Sequence, residues 1–84
     1  MSGKVQIWDS CYTVLVFSKP TGIFRRSSVV SKDRFEDFKK ALAAAESLIE
    51  GGVDAGFVII RSDVHNRVDA EWVNIGEGVW LRRK

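Results

Sequence analysis

Phe35, Phe38, Leu42, Ala45 and Ile49 recur at intervals of three and four residues, which places them on one face of a helix. Ala41 and Leu48 widen that stripe until it is broad enough to cover a sheet. Ala41, Ala43, Ala44 and Ala45 add intrinsic propensity, because alanine loses no side-chain entropy on becoming helical. The whole stretch from Ser31 to Gly52, SKDRFEDFKKALAAAESLIEGG, therefore reads as a single amphipathic helix. Ser31 is the preferred N-cap, with Val30 and Phe35 as a hydrophobic staple, and Asp33 with Glu36 offers a capping box as the alternative. Capping at Ser31 leaves Asp33, Glu36 and Asp37 near the positive end of the helix dipole. Gly51 or Gly52 can take the left-handed conformation that stops the helix.

The rest of the chain reads as short strands that need this apolar stripe. Lys4 to Trp8 alternates, with Val5 and Ile7 on one face and Gln6 and Trp8 on the other. Cys11 to Ser18 is nearly continuous in β-branched and aromatic residues, which suits a central strand. Lys19-Pro20-Thr21-Gly22 is a turn, since proline fixes φ early and glycine accepts a positive φ later. Ile23 to Val30 returns as a third strand with a polar middle, as at an edge. After the helix, Phe57 to Arg61 is a strongly apolar strand expected near the sheet centre. Ser62 to Asn66 is a turn rich in residues that bond their own backbone. Arg67 to Ile75 alternates Val68, Ala70 and Trp72 against Asp69, Glu71 and Val73. Gly76-Glu77-Gly78 is a three-residue hairpin loop, and Val79 to Arg83 closes the chain.

These elements give an α+β fold of order β-β-β-α-β-β-β, a single helix packed on one face of a largely antiparallel sheet. One helix about 28 Å long cannot cover both faces. The second face is then either wet or occupied by a partner.

Length and composition set the remaining bounds. The 84 residues make one domain, residues 1–84, with a thin core, since a chain this size buries roughly 60–65% of the surface its unfolded form exposes. A single cysteine cannot form an internal disulfide, so stability must come from packing or self-association. No apolar run approaches the roughly 18 residues of a membrane span, and the N-terminus lacks a signal-peptide core; the expectation is a cytoplasmic protein with no membrane contact. The formal charge of +2 is too small and too scattered for the basic stripe of a dedicated nucleic-acid binder.

Chemistry is sparse. Cys11 and His65 are the only thiol and imidazole, and pairing them would need hydrogen-bond reach and an electropositive setting. No cluster of His, Cys or carboxylates has metal-ligand spacing, and no glycine-rich phosphate loop precedes the helix. No cofactor, metal or catalytic group is expected. Trp8, Trp72 and Trp80 each sit at a strand position. Each either fills the core or lies on the uncovered face as a contact surface. By alternation, Trp72 and Val73 point to opposite faces, as do Trp80 and Leu81. Basic residues meet aromatics at Phe24-Arg25-Arg26 and at Trp80-Leu81-Arg82-Arg83-Lys84, so Arg25, Arg26, Arg82 and Arg83 are candidate nucleic-acid contacts.

The fragment GGVDAGFVIIRSD resembles the helix-to-strand joint of peptidoglycan-binding sporulation-related repeats. The second helix and strand pattern of that family are missing, so its function is not carried over. The leading expectation is a small non-enzymatic interaction module that self-associates, most simply as a homodimer, or binds a partner protein through the face its helix leaves bare. The candidate contacts are Trp8, Trp72 and Trp80. Nucleic-acid binding through the four arginines is the first alternative. A mobile-element-encoded inhibitor of a host protein is the second.

Overall fold

A computed structural model describes residues 11–23 and 25–84; the expected strand Lys4–Trp8, with Trp8 itself, and Phe24 lie outside them. The described chain runs β1 (Tyr12–Phe17), β2 (Val29–Phe35), α1 (Phe38–Glu50), β3 (Phe57–Ser62), β4 (Arg67–Gly76) and β5 (Val79–Arg82). The strands form one antiparallel sheet in the order β2-β1-β3-β4-β5, with α1 packed on one face. Because β2 and β3 both run antiparallel to β1, they are parallel to each other. The helix carries the chain from one side of β1 to the other as a split β-α-β unit. The two apolar runs expected near the sheet centre, β1 and β3, are there.

The helix is shorter than its periodicity suggests. It begins at Phe38, and Asp37 is the cap, its carboxylate accepting from the Lys40 N–H at 2.8 Å. Neither Ser31 nor the Asp33–Glu36 box caps it, because residues 29–35 are drawn into the sheet. The third strand, expected over Ile23 to Val30, accordingly starts at Val29 and overlaps that stretch by two residues; Thr21 and Arg26 before it are joined by reciprocal backbone hydrogen bonds that close a tip. The physical reason is that β1 needs a partner on its outer side, and Val29–Phe35 supplies six paired positions. Phe35 sits opposite Tyr12, and Phe38, the first residue of the helix, meets the Tyr12 ring edge-on at 5.6 Å. Two residues three apart thus face one core from two different elements, which imitates a helical repeat. At the other end Gly52 takes φ +77° and the N–H groups of Gly52 and Val53 donate to Ile49 and Leu48. That is a Schellman stop, with Val53 and Leu48 both packed on the core.

The core lies between α1 and the near face of the sheet. Ala41 and Ala45 are fully buried against Val14, Val16, Val58 and Ile60, and their small side chains let the helix approach closely. Burying each of these valines and the isoleucine contributes about 1.5–3 kcal/mol. A helix of 13 residues is about 20 Å long and lies over β1, β3 and β2. The near side of β4 and β5 is shielded instead by Trp72, 6% exposed, and by Trp80, with the Arg82 guanidinium 5.1 Å above the Trp72 ring.

Irregularities adjust the alternation: between Val16 and Phe17 the partner moves from Ser31 to Val29, which skips Val30 and sets Val29 opposite Phe17. A bulge between Ile60 and Arg61 pairs Ile60 with Ala70 but Arg61 with Val68, so Val68 leaves the face of Ala70 and Trp72. The final hairpin loop has two residues, not three, because Gly76 pairs with Val79 across Glu77 and Gly78. Both loop residues have positive φ, 55° and 76°, the backbone of a type I′ turn.

Candidate interaction surface

Strand register defines the face turned away from the helix. Thr13, Leu15 and Phe17 of β1 alternate with the core residues Val14 and Val16, and their cross-strand partners share their face. Three rows result. The first is Arg34, Thr13, Arg61 and Val68; the second is Lys32, Leu15, Ile59 and Glu71; the third is Val29, Phe17, Phe57, Val73 and Leu81. The third row is apolar across all five strands. Its centre is a stacked pair, Phe17 and Phe57, with ring centroids 4.8 Å apart. Val29 and Leu81 at its ends are half exposed, as are Ile75 and Val79 beside it. Among the described residues no second helix packs on this far face, and its side chains cover one another at the centre, where Leu15 is 6% and Thr13 2% exposed.

Polar pairing anchors its opposite end. Asp63, just past β3, accepts from the Thr13 hydroxyl at 2.7 Å and from Arg61 Nε and Nη2 at 3.3 and 3.2 Å, and Arg34 Nε approaches to 3.5 Å. Thr13 is buried, so its hydroxyl depends on that carboxylate. Beside the apolar row a groove of about 440 Å³ is lined by Phe57, Val73 and Ile75 together with Lys19 and Arg25. Lys19 pairs with Asp54 at 3.2 Å, and Arg25 holds a left-handed backbone with φ 54°. Gly56 permits the groove wall to close, because a Cβ there would lie 2.7 Å from the Ser18 carbonyl oxygen.

In Lys32 and Glu71 the second row carries two oppositely charged side chains, neither of them in an ion pair among the described residues. They stand on β2 and β4, one strand outside the β1–β3 pair on each side.

The alternation left open for the tryptophans is decided by the register. Trp72 and Trp80 turn toward the helix side, and Val73 and Leu81 turn away. Of the candidate nucleic-acid contacts, Arg25 and Arg26 lie at the tip between β1 and β2. Arg82 stacks over Trp72 on the near face and donates to the Lys84 carbonyl at 2.9 Å. Arg83, whose N–H donates to the Glu71 carbonyl, continues the second row at the sheet edge. The four do not form one row. Cys11 is buried, whereas His65 is exposed in the β3–β4 turn. Among the described residues no group of three His, Cys, Asp or Glu could hold a metal ion, and no helix is long and apolar enough to cross a membrane.

Sequence reasoning missed Asp63, Phe17 and Phe57. The Asp63 carboxylate gathers residues from β1, β2 and β3, a convergence that only cross-strand register reveals. The two phenylalanines sat in apolar runs whose faces could not be separated without it. No known family, curated protein or solved structure matches the chain at a significant level.

Proposed function

We propose that this chain is a non-enzymatic interaction module whose far face docks on the same face of a second copy. The observation that carries this reading is the apolar row Val29–Phe17–Phe57–Val73–Leu81, continuous across five strands and turned away from the helix. An apolar row on the second face of a sheet gains from a layer over it, and the described chain has one helix. The near core is also thin, with Ala41, Ala45, Ala55 and Ala70 among its buried residues, so an 84-residue chain gains from burying its second face. Five strands at about 4.8 Å spacing and six residues at about 3.3 Å give a face of roughly 24 by 20 Å. A symmetric pair that buried all of it would cover on the order of 1,000 Å² in total, the lower bound of specific interfaces, and one that left β5 outside about 800 Å², the size of a weak pair.

Sedimentation equilibrium over micromolar concentrations tests the reading. The expected result is a dimer that Val73→Lys converts to a monomer with unchanged far-UV circular dichroism. A wild-type chain that stays monomeric at about 100 μM, at the weak end of specific protein pairs, overturns it.

A further inference from the structure

Among two-fold pairings of the far face whose axis runs along the strands, the charges select one placement. We infer that the dimer axis runs along the strands midway between β1 and β3, so that Lys32 of each copy faces Glu71 of the other. This rests on the self-association proposed above and adds its geometry. An axis parallel to the strands preserves position along them and exchanges left for right. Placed between β1 and β3, it sets β2 over β4 of the second copy and β1 over β3. Row by row, Lys32 then lies over Glu71, Leu15 over Ile59, Phe17 over Phe57 and Val29 over Val73. In these two rows each apolar position meets an apolar one and the two unpaired charges meet their opposites twice by symmetry; in the first row Arg34, held by Asp63 at 3.5 Å, lies over Val68, and Thr13 lies over Arg61.

Neighbouring placements fail this test. An axis on β3 sets Lys32 over Arg83, a like-charge contact, and Glu71 over Leu15. An axis on β1 sets Lys32 over Ile59, burying an ammonium with no partner. Packed sheets rotate by about 30°, which over a lateral offset of about 7 Å, one and a half strand spacings, moves Lys32 and Glu71 roughly 4 Å apart along the strands. The lysine stem spans that displacement. Arg83 on β5 falls outside the footprint of the second copy.

The test is a charge-reversal cycle on the full chain, read as the dimer dissociation constant by sedimentation. Lys32→Glu and Glu71→Lys should each weaken the dimer by at least about tenfold, since each introduces two like-charge contacts. The double variant should recover most of the wild-type constant, and Arg83→Glu should leave it within about threefold because rim charges act mainly on association rate. A dimer in which the double variant is no tighter than either single one overturns the axis and leaves self-association standing. A wild-type monomer overturns both. Binding of single-stranded nucleic acid that falls steeply with salt, without dimerisation, would assign the face to that ligand and likewise overturn the inference.

Discussion

Replacing Asp63 by alanine isolates the polar cluster that fixes β1, β2 and β3 at one end of the sheet. Thr13 is 2% exposed, and its hydroxyl donates to Asp63 at 2.7 Å. Removing the carboxylate leaves that donor buried and unsatisfied, at a cost of about 1–3 kcal/mol. The Arg61 contact is forked, but its side chain is 40% exposed, so water screens it and its share is about 0.5 kcal/mol. Arg34, at 3.5 Å and about half exposed, adds a few tenths. The expected loss is therefore about 2–3 kcal/mol, dominated by the threonine. In urea, with a slope of about 1 kcal/mol/M for a chain this small, the midpoint falls by roughly 2–3 M at unchanged slope. Protein concentration must be held fixed, because dimerisation would couple to the midpoint. A companion substitution assigns the cause. With Thr13→Val in the Asp63→Ala background the orphan hydroxyl is gone, and about 1 kcal/mol should return. A loss below about 0.5 kcal/mol, or no recovery in the double variant, refutes the assignment.

Two further substitutions probe backbone geometry. Gly56→Ala puts a Cβ 2.7 Å from the Ser18 carbonyl oxygen and 3.0 Å from Lys19 Cα; both are backbone atoms that cannot rotate away. Thermal and urea unfolding should show a destabilisation of about 1–3 kcal/mol, and an unchanged midpoint would mean the two strands are not in this close register. Glu77→Asn should act in the opposite direction. Glu77 holds φ 55° as the first residue of a two-residue loop, where asparagine is favoured, and a gain of about 0.5 kcal/mol in the same assays is expected.

How far residue patterns alone reach can be argued from three places. The strands around Leu15 and Ile59 and the helix around Ala41 and Ala45 were readable, because burial imposes a periodicity that the side chains must follow. The helix start was not. Phe35 and Phe38 satisfy a helical interval while belonging to a strand and a helix that bury them in the same core. Only the pairing demand of β1 separates the two cases, and pairing is non-local. The facing of the tryptophans was hidden for a related reason. Tryptophan at an alternating position says that a large ring needs a home, not which face provides it. Here the helix stops short of β4, so Trp72 and Trp80 roof the part of the near face it does not reach. Their neighbours Val73 and Leu81, less conspicuous in the sequence, are the residues turned outward.

The same register bears on why a second copy would arrive by the face and not by an edge. β2 is an outer strand, and open edges invite pairing. A two-fold axis normal to the sheet keeps side chains on their own face, so it can oppose only residues of equal parity in two β2 strands. Centred on Asp33, the pairing sets aspartate against aspartate and Lys32 against Arg34; centred on Lys32 or on Arg34, it sets that cation against its own copy. Centred on Ser31, it places Val29 opposite Asp33 and Val30 opposite Lys32. Each of these four central registers therefore meets either like charges, which destabilise a cross-strand pair, or an apolar residue against a charge. The other edge, β5, has four residues, too few for a stable ladder on its own. The charges that make β2 look unlike a strand in the sequence are the ones that discourage edge pairing. What they leave available for association is the apolar row on the far face.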